Sequence, residues 1–473
     1  MAQDINDDIL FAPIRDLAER LRTRRLSPVA LTEAYLDRLQ KIGPRLNAVV
    51  TLMRESALRE ARAADEEIRQ GKYRGVLHGI PYGAKDLLAT NGVPTTWGAE
   101  PLRKQTFNYD ATVIRKLRDA GAILLAKLAM VELAGSFGYN HADASFTGPG
   151  KTPWNLSYWS GGSSSGSGAA VAAGLCAFAV GSETSGSIIT PAAYCGVAGL
   201  RPTFGRVSRY GAMALSWTLD KLGPLCRSAD CCGIVLGAIA GRDPKDLSSV
   251  AKPYAWPEPR RDDKQKFRIG VIRGSTTDIQ PAVRDNFNES LKVLGKFCDL
   301  TDDVAYPDMP FGPVVSAVIN AEGANSFREL IESGRINEIR TAQMKTGAVA
   351  ASMTLAVDYL QALRVRTRMK KVLDELYAKY DALIAPARST VSYPIDRNFS
   401  EVYLNFRGGP PIIPAGNVVG QPAISIPNGF GPNNLPTGIQ FTGRVWSEPR
   451  LLSIAHAYQQ ATDWHRRRPN LNS

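Results

Sequence analysis

GGSSSGSGAAVAAGLCAFAVGSETSGSIITPAAYCGVAGLRPT, residues Gly161–Thr203, contains two serine- and glycine-rich turns, each leading into small, mostly apolar residues. The pattern reads as two tight backbone crossings that turn hydroxyls and free N–H groups toward one cleft; a soft linker would not look like this. Glycine adopts backbone angles closed to other residues and lets a substrate approach the main chain. N–H groups left unpaired at a helix start can stabilise a developing oxyanion. A serine hydroxyl is a poor nucleophile until a base takes its proton. The four histidines, His78, His141, His456 and His465, all lie outside both turns.

Another candidate base stands upstream, in GVLHGIPYGAKDLLAT (75–90). Lys85 follows an apolar run, Gly79 to Ala84, that reads as a short strand or turn carrying the ammonium inward. Taken alone, Lys85 reads as a solvated surface lysine, Ser163–Ser165 as a plain turn, and Ser187 equally as a helix N-cap, for which serine is among the preferred residues. Gly162-Ser163-Ser164-Ser165-Gly166 also satisfies the G-x-S-x-G elbow, which would make Ser164 the nucleophile of a Ser-His-Asp α/β-hydrolase with His456 or His465. An elbow should follow a buried strand, and the preceding KTPWNLSYWS is loop-like. There is no G-x-x-x-x-G-K-[ST], and Val171 stands where the dinucleotide fingerprint needs a small residue.

Three stretches in order, HGIPYGAKD around Lys85, GGSSSGSGAAVAAG from Gly161, and GSETSGSI with PAAYCGVAGLRPT from Gly181, resemble the amidase signature family of serine hydrolases. DATVIRKLRDAGAILLAKLAM from Asp110, LPTGIQFTGR from Leu435 and AHAYQQATDWHRRRP from Ala455 are similar too, so the resemblance covers nearly the whole chain. It implies Ser187 as nucleophile, Ser163 as a bridging serine on a cis peptide bond, and Lys85 as terminal base. The N–H groups of Thr184, Ser185, Gly186 and Ser187 would form the oxyanion hole. Lys85 must then be neutral, although a free lysine has a pKa of about 10.4; burial and contact with two hydroxyls would lower it. Asp86 would oppose that, so it is expected to face elsewhere, into a structural hydrogen bond.

The resemblance also implies a substrate channel lined from Leu133–Tyr139, the helices of 310–360 and the loop Tyr403–Pro414, with Phe137, Tyr139, Tyr403, Phe406 and Ile412 as substrate-binding candidates. These favour an apolar or aromatic acyl or amine group, although the same residues read equally as core. Such enzymes hydrolyse primary amides, peptide amides, anilides or, through a similar acyl centre, carbamates and esters. Glutamine-hydrolysing subunits of tRNA-dependent amidotransferases usually carry arginine in G-G-S-I-R, where this chain has Gly186-Ser187-Ile188-Ile189. A stand-alone amidase is therefore the first reading, as a monomer or homodimer acting on a small amide-type molecule. An amidotransferase subunit with partner proteins is the second, and a catalytically idle binding protein the third.

Elsewhere helix and strand signals alternate, predicting an α/β fold with a central mixed sheet flanked by helices on both faces. Ser27-Pro28 starts a helix with Leu31, Tyr35, Leu36 and Leu39 on one face. Thr112–Ala120 reads as a helix closed by Gly121, with AILLA as the next buried strand. Pro281 opens another helix, with Val283, Phe287, Leu291 and Leu294 on its apolar face, and Ser352–Lys379 reads as one long helix. One domain spanning 1–473 is expected, with a proline- and charge-rich surface excursion at 242–266 and a helical, substrate-covering region at about 310–380.

The net charge of +12 is spread among acids along helices; only His465-Arg466-Arg467-Arg468 is compact, and no stacking-aromatic module accompanies it, so no nucleic-acid partner is expected. Six scattered cysteines do not make a disulfide scaffold in a chain this long, and read as small hydrophobes. With no C-x-x-C, H-E-x-x-H or dense acidic cluster, neither metal nor cofactor is expected. MAQDINDDILFAPI lacks a signal-peptide pattern, and no run of about twenty apolar residues offers a membrane span. A cytoplasmic location is the default expectation.

Overall fold

Ser27 accepts from the backbone N–H groups of Val29 and Ala30 and so starts the helix Pro28–Leu46, whose buried side holds Leu31, Tyr35, Leu36 and Leu39. The computed structural model describes residues 5–257 and 266–471. The other sequence-read helices form as Thr112–Asp119 and Pro281–Leu294, the latter burying Val283, Phe287 and Leu294. Burial of each such large side chain contributes about 1.5–3 kcal/mol relative to exposure.

Among the described residues the strands are β1 (Val49–Leu52), β2 (Pro81–Lys85), β3 (Ile123–Leu128), β4 (Phe178–Glu183), β5 (Ala198–Arg201), β6 (Lys221–Cys226), β7 (Phe267–Ile272), β8 (Cys298–Val304), β9 (Ala382–Pro386), β10 (Ala423–Gly431) and β11 (Leu435–Thr442). They form one 11-stranded sheet in the order β1-β3-β2-β4-β6-β5-β10-β11-β9-β7-β8. Helices cover both faces. The sheet is mixed: β2 runs parallel to β3 and β4, while β4–β6–β5–β10–β11–β9 pair antiparallel. Tyr82 of β2 lies opposite Leu124 on one side and Phe178 on the other. Two parallel neighbours end at the same edge of the sheet, so Lys85, the last residue of β2, emerges near the end of β4.

The long helix expected over Ser352–Lys379 forms as one element, Ala356–Tyr377. A separate helix, Ala342–Ser352, precedes it across residues 353–355. The two pack against different things. An added Cβ at Gly347 would lie 2.4 Å from the carbonyl oxygen of Phe137. Met369, Leu373 and Tyr377 of the second helix instead join Val315, Val318 and Ile412 in a separate apolar cluster. A straight helix could not serve both surfaces.

In the expected surface excursion, Tyr254 and Trp256 pack back onto the helix Ala229–Ile239, through a Tyr254 hydroxyl bond to the Gly233 carbonyl (2.9 Å) and a Trp256 Nε1 bond to Asp230 (3.0 Å). Residues 258–265 of that stretch lie outside the described residues. All six cysteines are free and buried. Among the described residues no helix is long and apolar enough to cross a membrane.

Candidate active site

Every residue of β2 is buried, and its last side chain, Lys85, is fully enclosed. Its Nζ donates to Ser163 Oγ at 2.7 Å and to Ser182 Oγ at 2.9 Å. Burial disfavours the charged ammonium and brings its pKa down to about 7, against the opposing pull of Asp220 and Glu183. Asp86, the next residue, points away: its carboxylate lies 3.0 Å from Lys127 Nζ and accepts from the backbone N–H and hydroxyl of Thr96. The second hydroxyl at Lys85 is thus Ser182, which sequence reasoning did not name.

The first glycine-rich turn carries a cis peptide bond at Gly162–Ser163. The Ser163 carbonyl is held by the Val131 N–H at 3.1 Å, and the Ser187 carbonyl accepts from Ser164 N at 3.3 Å, so the two turns are joined directly. Gly161 has φ of +83°, and a Cβ there would come within 2.8 Å of the Pro191 backbone. This close crossing of the two turns requires glycine. Ser164 is committed elsewhere: its hydroxyl donates to the Ser182 carbonyl (3.2 Å) and accepts from the Ser182 N–H (3.3 Å). His456 and His465 line a different cavity, beside Phe11 and Arg227. The elbow arrangement therefore has neither a free hydroxyl nor an imidazole beside it.

After β4 the chain runs through Thr184-Ser185-Gly186-Ser187 into the helix Ile189–Cys195. Ser187 does not cap that helix. Glu183 Oε2 does, accepting from the N–H groups of Ile188 (2.8 Å) and Ile189 (3.0 Å). Glu183 Oε1 meets Arg201 Nη1 at 2.9 Å and Asn417 Nδ2 at 2.8 Å. Burial pushes the Glu183 carboxyl up, but Arg201, Lys221 and the hydrogen bonds outweigh it and leave its pKa below the usual value. Asp220 holds the other side of the loop, accepting from the Thr184 hydroxyl at 2.6 Å and from the N–H groups of Leu215 and Ser216 at 2.9 Å. Neither carboxylate was singled out from the sequence, although Glu183 lies inside the second motif. Each becomes visible as an organiser only through partners distant along the chain.

A cavity of about 350 Å³ is lined by Gly162, Thr184, Ser185 and Ser187 on one side and by Tyr139, Trp159, Arg388, Tyr393 and Phe399 on the other. Of the five sequence-named substrate residues, Tyr139 lines it. Ile412 lines the adjoining cavity, which shares Arg388 with the first. Phe137 is buried against Phe327, ring centroids 6.0 Å apart, beneath the lining. Tyr403 packs against Tyr393 with tilted rings, centroids 5.3 Å apart, and donates to the Ser392 carbonyl. Phe406 is half-buried and lines neither cavity. Trp159, Arg388, Tyr393 and Phe399 were missed: they come from loops whose sequence carries no periodicity to orient them. Among the described residues no three of His, Cys, Asp and Glu gather as a metal-holding group.

The chain is similar to known proteins over nearly its whole length. The chain is 35% identical to a glutamyl-tRNA(Gln) amidotransferase subunit from Thermosynechococcus vestitus, over 97% of this chain and 99% of the relative. Its fold superimposes on the peptide amidase of Stenotrophomonas maltophilia with a TM-score of 0.84, at 30% identity over 98% of this chain and 99% of the other. It also matches, with a TM-score of 0.87 and 28% identity over 95% and 98% of the two chains, a protein described as part of a vestigial complex that reveals the origins of an s-triazine catabolic enzyme. The family model for Amidase matches residues 30–452. With the motifs of both turns, the mixed sheet and this full-length match in agreement, the chain belongs to the amidase signature family and is an amide-hydrolysing enzyme.

Proposed function

We propose that the chain is a stand-alone amidase that cleaves linear carbon–nitrogen bonds through an acyl-enzyme on Ser187, with Ser163 and Lys85 as its proton relay. The observation that carries this reading is the 2.7 Å contact between Lys85 Nζ and the hydroxyl of the cis-linked Ser163, inside a pocket that holds the lysine near neutrality. When the amine is neutral, its lone pair faces Ser163 and the same contact runs with the hydroxyl donating.

Ser187 Oγ then attacks the amide carbon while its proton passes to Ser163, whose own proton moves to Lys85. The oxyanion lies against the N–H groups of 184–187; one such donor is typically worth about 3 kcal/mol of barrier. As the C–N bond breaks, the relay returns the proton to the leaving amine. Water attacks the Ser187 ester by the reverse path and releases the acid. Carbamates and esters present the same acyl centre and fall within the reading. The helices of 310–380 cover the substrate, and the protein works in the cytoplasm as a monomer or homodimer, with a small amide and no nucleic-acid or membrane partner.

A second reading, a glutamine-hydrolysing subunit with partner proteins, rests on the 35% identity to amidotransferase subunits. Ile189 in place of the arginine usual there favours the first. The purified chain, assayed alone on amides and esters and labelled with a fluorophosphonate, separates them. Turnover without partners and an adduct on Ser187, lost in Ser187→Ala, is the expected result. Glutamine hydrolysis only after adding partner subunits would support the second reading, and no labelled serine would sink both.

A further inference from the structure

Arg388 stands between the cavity of Ser187 and its neighbour and lines both. It follows β9 by two residues, and the backbone there is pinned. Ala387 N–H bonds the Gly438 carbonyl at 2.8 Å, and the Ser389 carbonyl accepts from the Gln280 N–H at 2.9 Å. The Arg388 Nε is buried without a hydrogen-bond partner, and among the described residues the side chain enters no ion pair. Its guanidinium carbon lies 5.9 Å from the ring centroid of Tyr194, a neutral neighbour that supplies no counter-charge.

No aspartate or glutamate among the described residues lines either cavity, and the second adds another cation, Arg407. The two acids that act on Lys85 are already engaged, Asp220 by Thr184 and Glu183 by Arg201 and Asn417. Arginine cannot shed its charge in a protein. The side chain is half-buried and borders both cavities with no anion beside it, and its planar fork of donors matches a carboxylate in two-point contact.

We propose that Arg388 binds a carboxylate on the acyl part of the substrate, so that the preferred substrates are short monoamides of dicarboxylic acids. This rests on the reading of Ser187 as nucleophile. Water and the monoamide give the dicarboxylate and ammonium, and Arg388 takes no part in the bond changes. It places the far end of the acyl chain so that the amide carbon meets Ser187.

The test compares succinamate, glutaramate and adipamate with butyramide, pentanamide and hexanamide, in which a methyl group replaces the carboxylate. The wild-type enzyme should prefer at least one carboxylated member over its partner by about tenfold or more in kcat/KM. Arg388→Gln should lower that ratio by about tenfold to hundredfold, mostly through KM, as loss of a charge-assisted contact would. Arg388→Lys should keep part of it, and equal thermal melts would show that all three proteins fold. A ratio near one in the wild type, or one unchanged by Arg388→Gln, overturns the proposal. An adduct of fluorophosphonate on Ser187 alongside that result leaves the amidase reading standing. If no amide turns over and Ser187 is not labelled, the amidase reading fails, and calorimetry with glutarate decides the subsite. Binding to the wild type that is lost in Arg388→Gln supports it, whereas equal or absent binding refutes it.

Discussion

At the scale of single residues, the chemistry depends on one amine that must lose its proton at working pH. A lysine held at about 7 is half competent near neutrality. The rate kcat/KM should therefore rise with pH through a limb at about 7 and level above it. Substituting His78, His141, His456 and His465 one at a time should leave that limb in place; its disappearance with any one of them would remove Lys85 from the role. Lys85→Ala should slow amides more than esters, because an amine must be protonated to leave and an alkoxide needs less help. Ser163→Ala should leave a weak enzyme, and negligible effects of both changes on steady-state rates would rule out the relay. The candidates Lys85 and Ser163 were readable from motif and order, and the structure places them 2.7 Å apart. Ser182, the second hydroxyl on that amine, could be seen only once β2 and β4 lay side by side.

At the scale of elements, the helix Ile189–Cys195 and the loop before it depend on a carboxylate from the preceding strand. Glu183→Gln keeps the shape but leaves Arg201 buried without a counter-charge, which should cost about 3–5 kcal/mol in denaturant unfolding. The sign of the pH effect follows from its lowered pKa: protons bind more readily to the unfolded chain, so the stabilisation is full above the ordinary carboxylate value of 4.5 and is lost as pH falls through the lower folded value. A wild-type stability curve that does not fall relative to Glu183→Gln in that acid range would contradict this. Helix starts and strand runs were legible here because Ser27-Pro28 and the apolar face of Pro281–Leu294 are local signals. The long helix of 356–377 was legible as well, and only its first turn was not, because the turn at 353–355 answers to two separate packing surfaces.

Across the whole molecule, the helix Phe311–Ser326 is tied to the loop that begins at Thr184 through buried polar groups. Glu322, on the helix Phe311–Ser326, accepts from the hydroxyls of Ser216 (2.5 Å), Thr218 (2.8 Å) and Tyr359 (2.8 Å). The Ser216 N–H bonds Asp220, which in turn holds Thr184. Glu322→Ala would strand those donors, each at about 1–3 kcal/mol when buried. Its melting temperature should fall, and hydrogen exchange should quicken in both 311–326 and 184–187. Faster exchange in the helix alone would show that the loop is held independently.

The family, the α/β layering and the order of the motif residues were all legible along the chain, because these rest on local patterns: glycines where two turns must cross, apolar runs for buried strands, a cap before a helix. Which polar groups serve those residues depended on the packing of distant segments. The pairings of Glu183 with Arg201 and Asn417, Asp220 with Thr184, and Arg388 with the cavity of Ser187 join segments between 18 and 234 positions apart or pack loops against strands. Burial, which gives Lys85 its lowered pKa, is a property of the assembled sheet and the helices packed on it rather than of any segment alone.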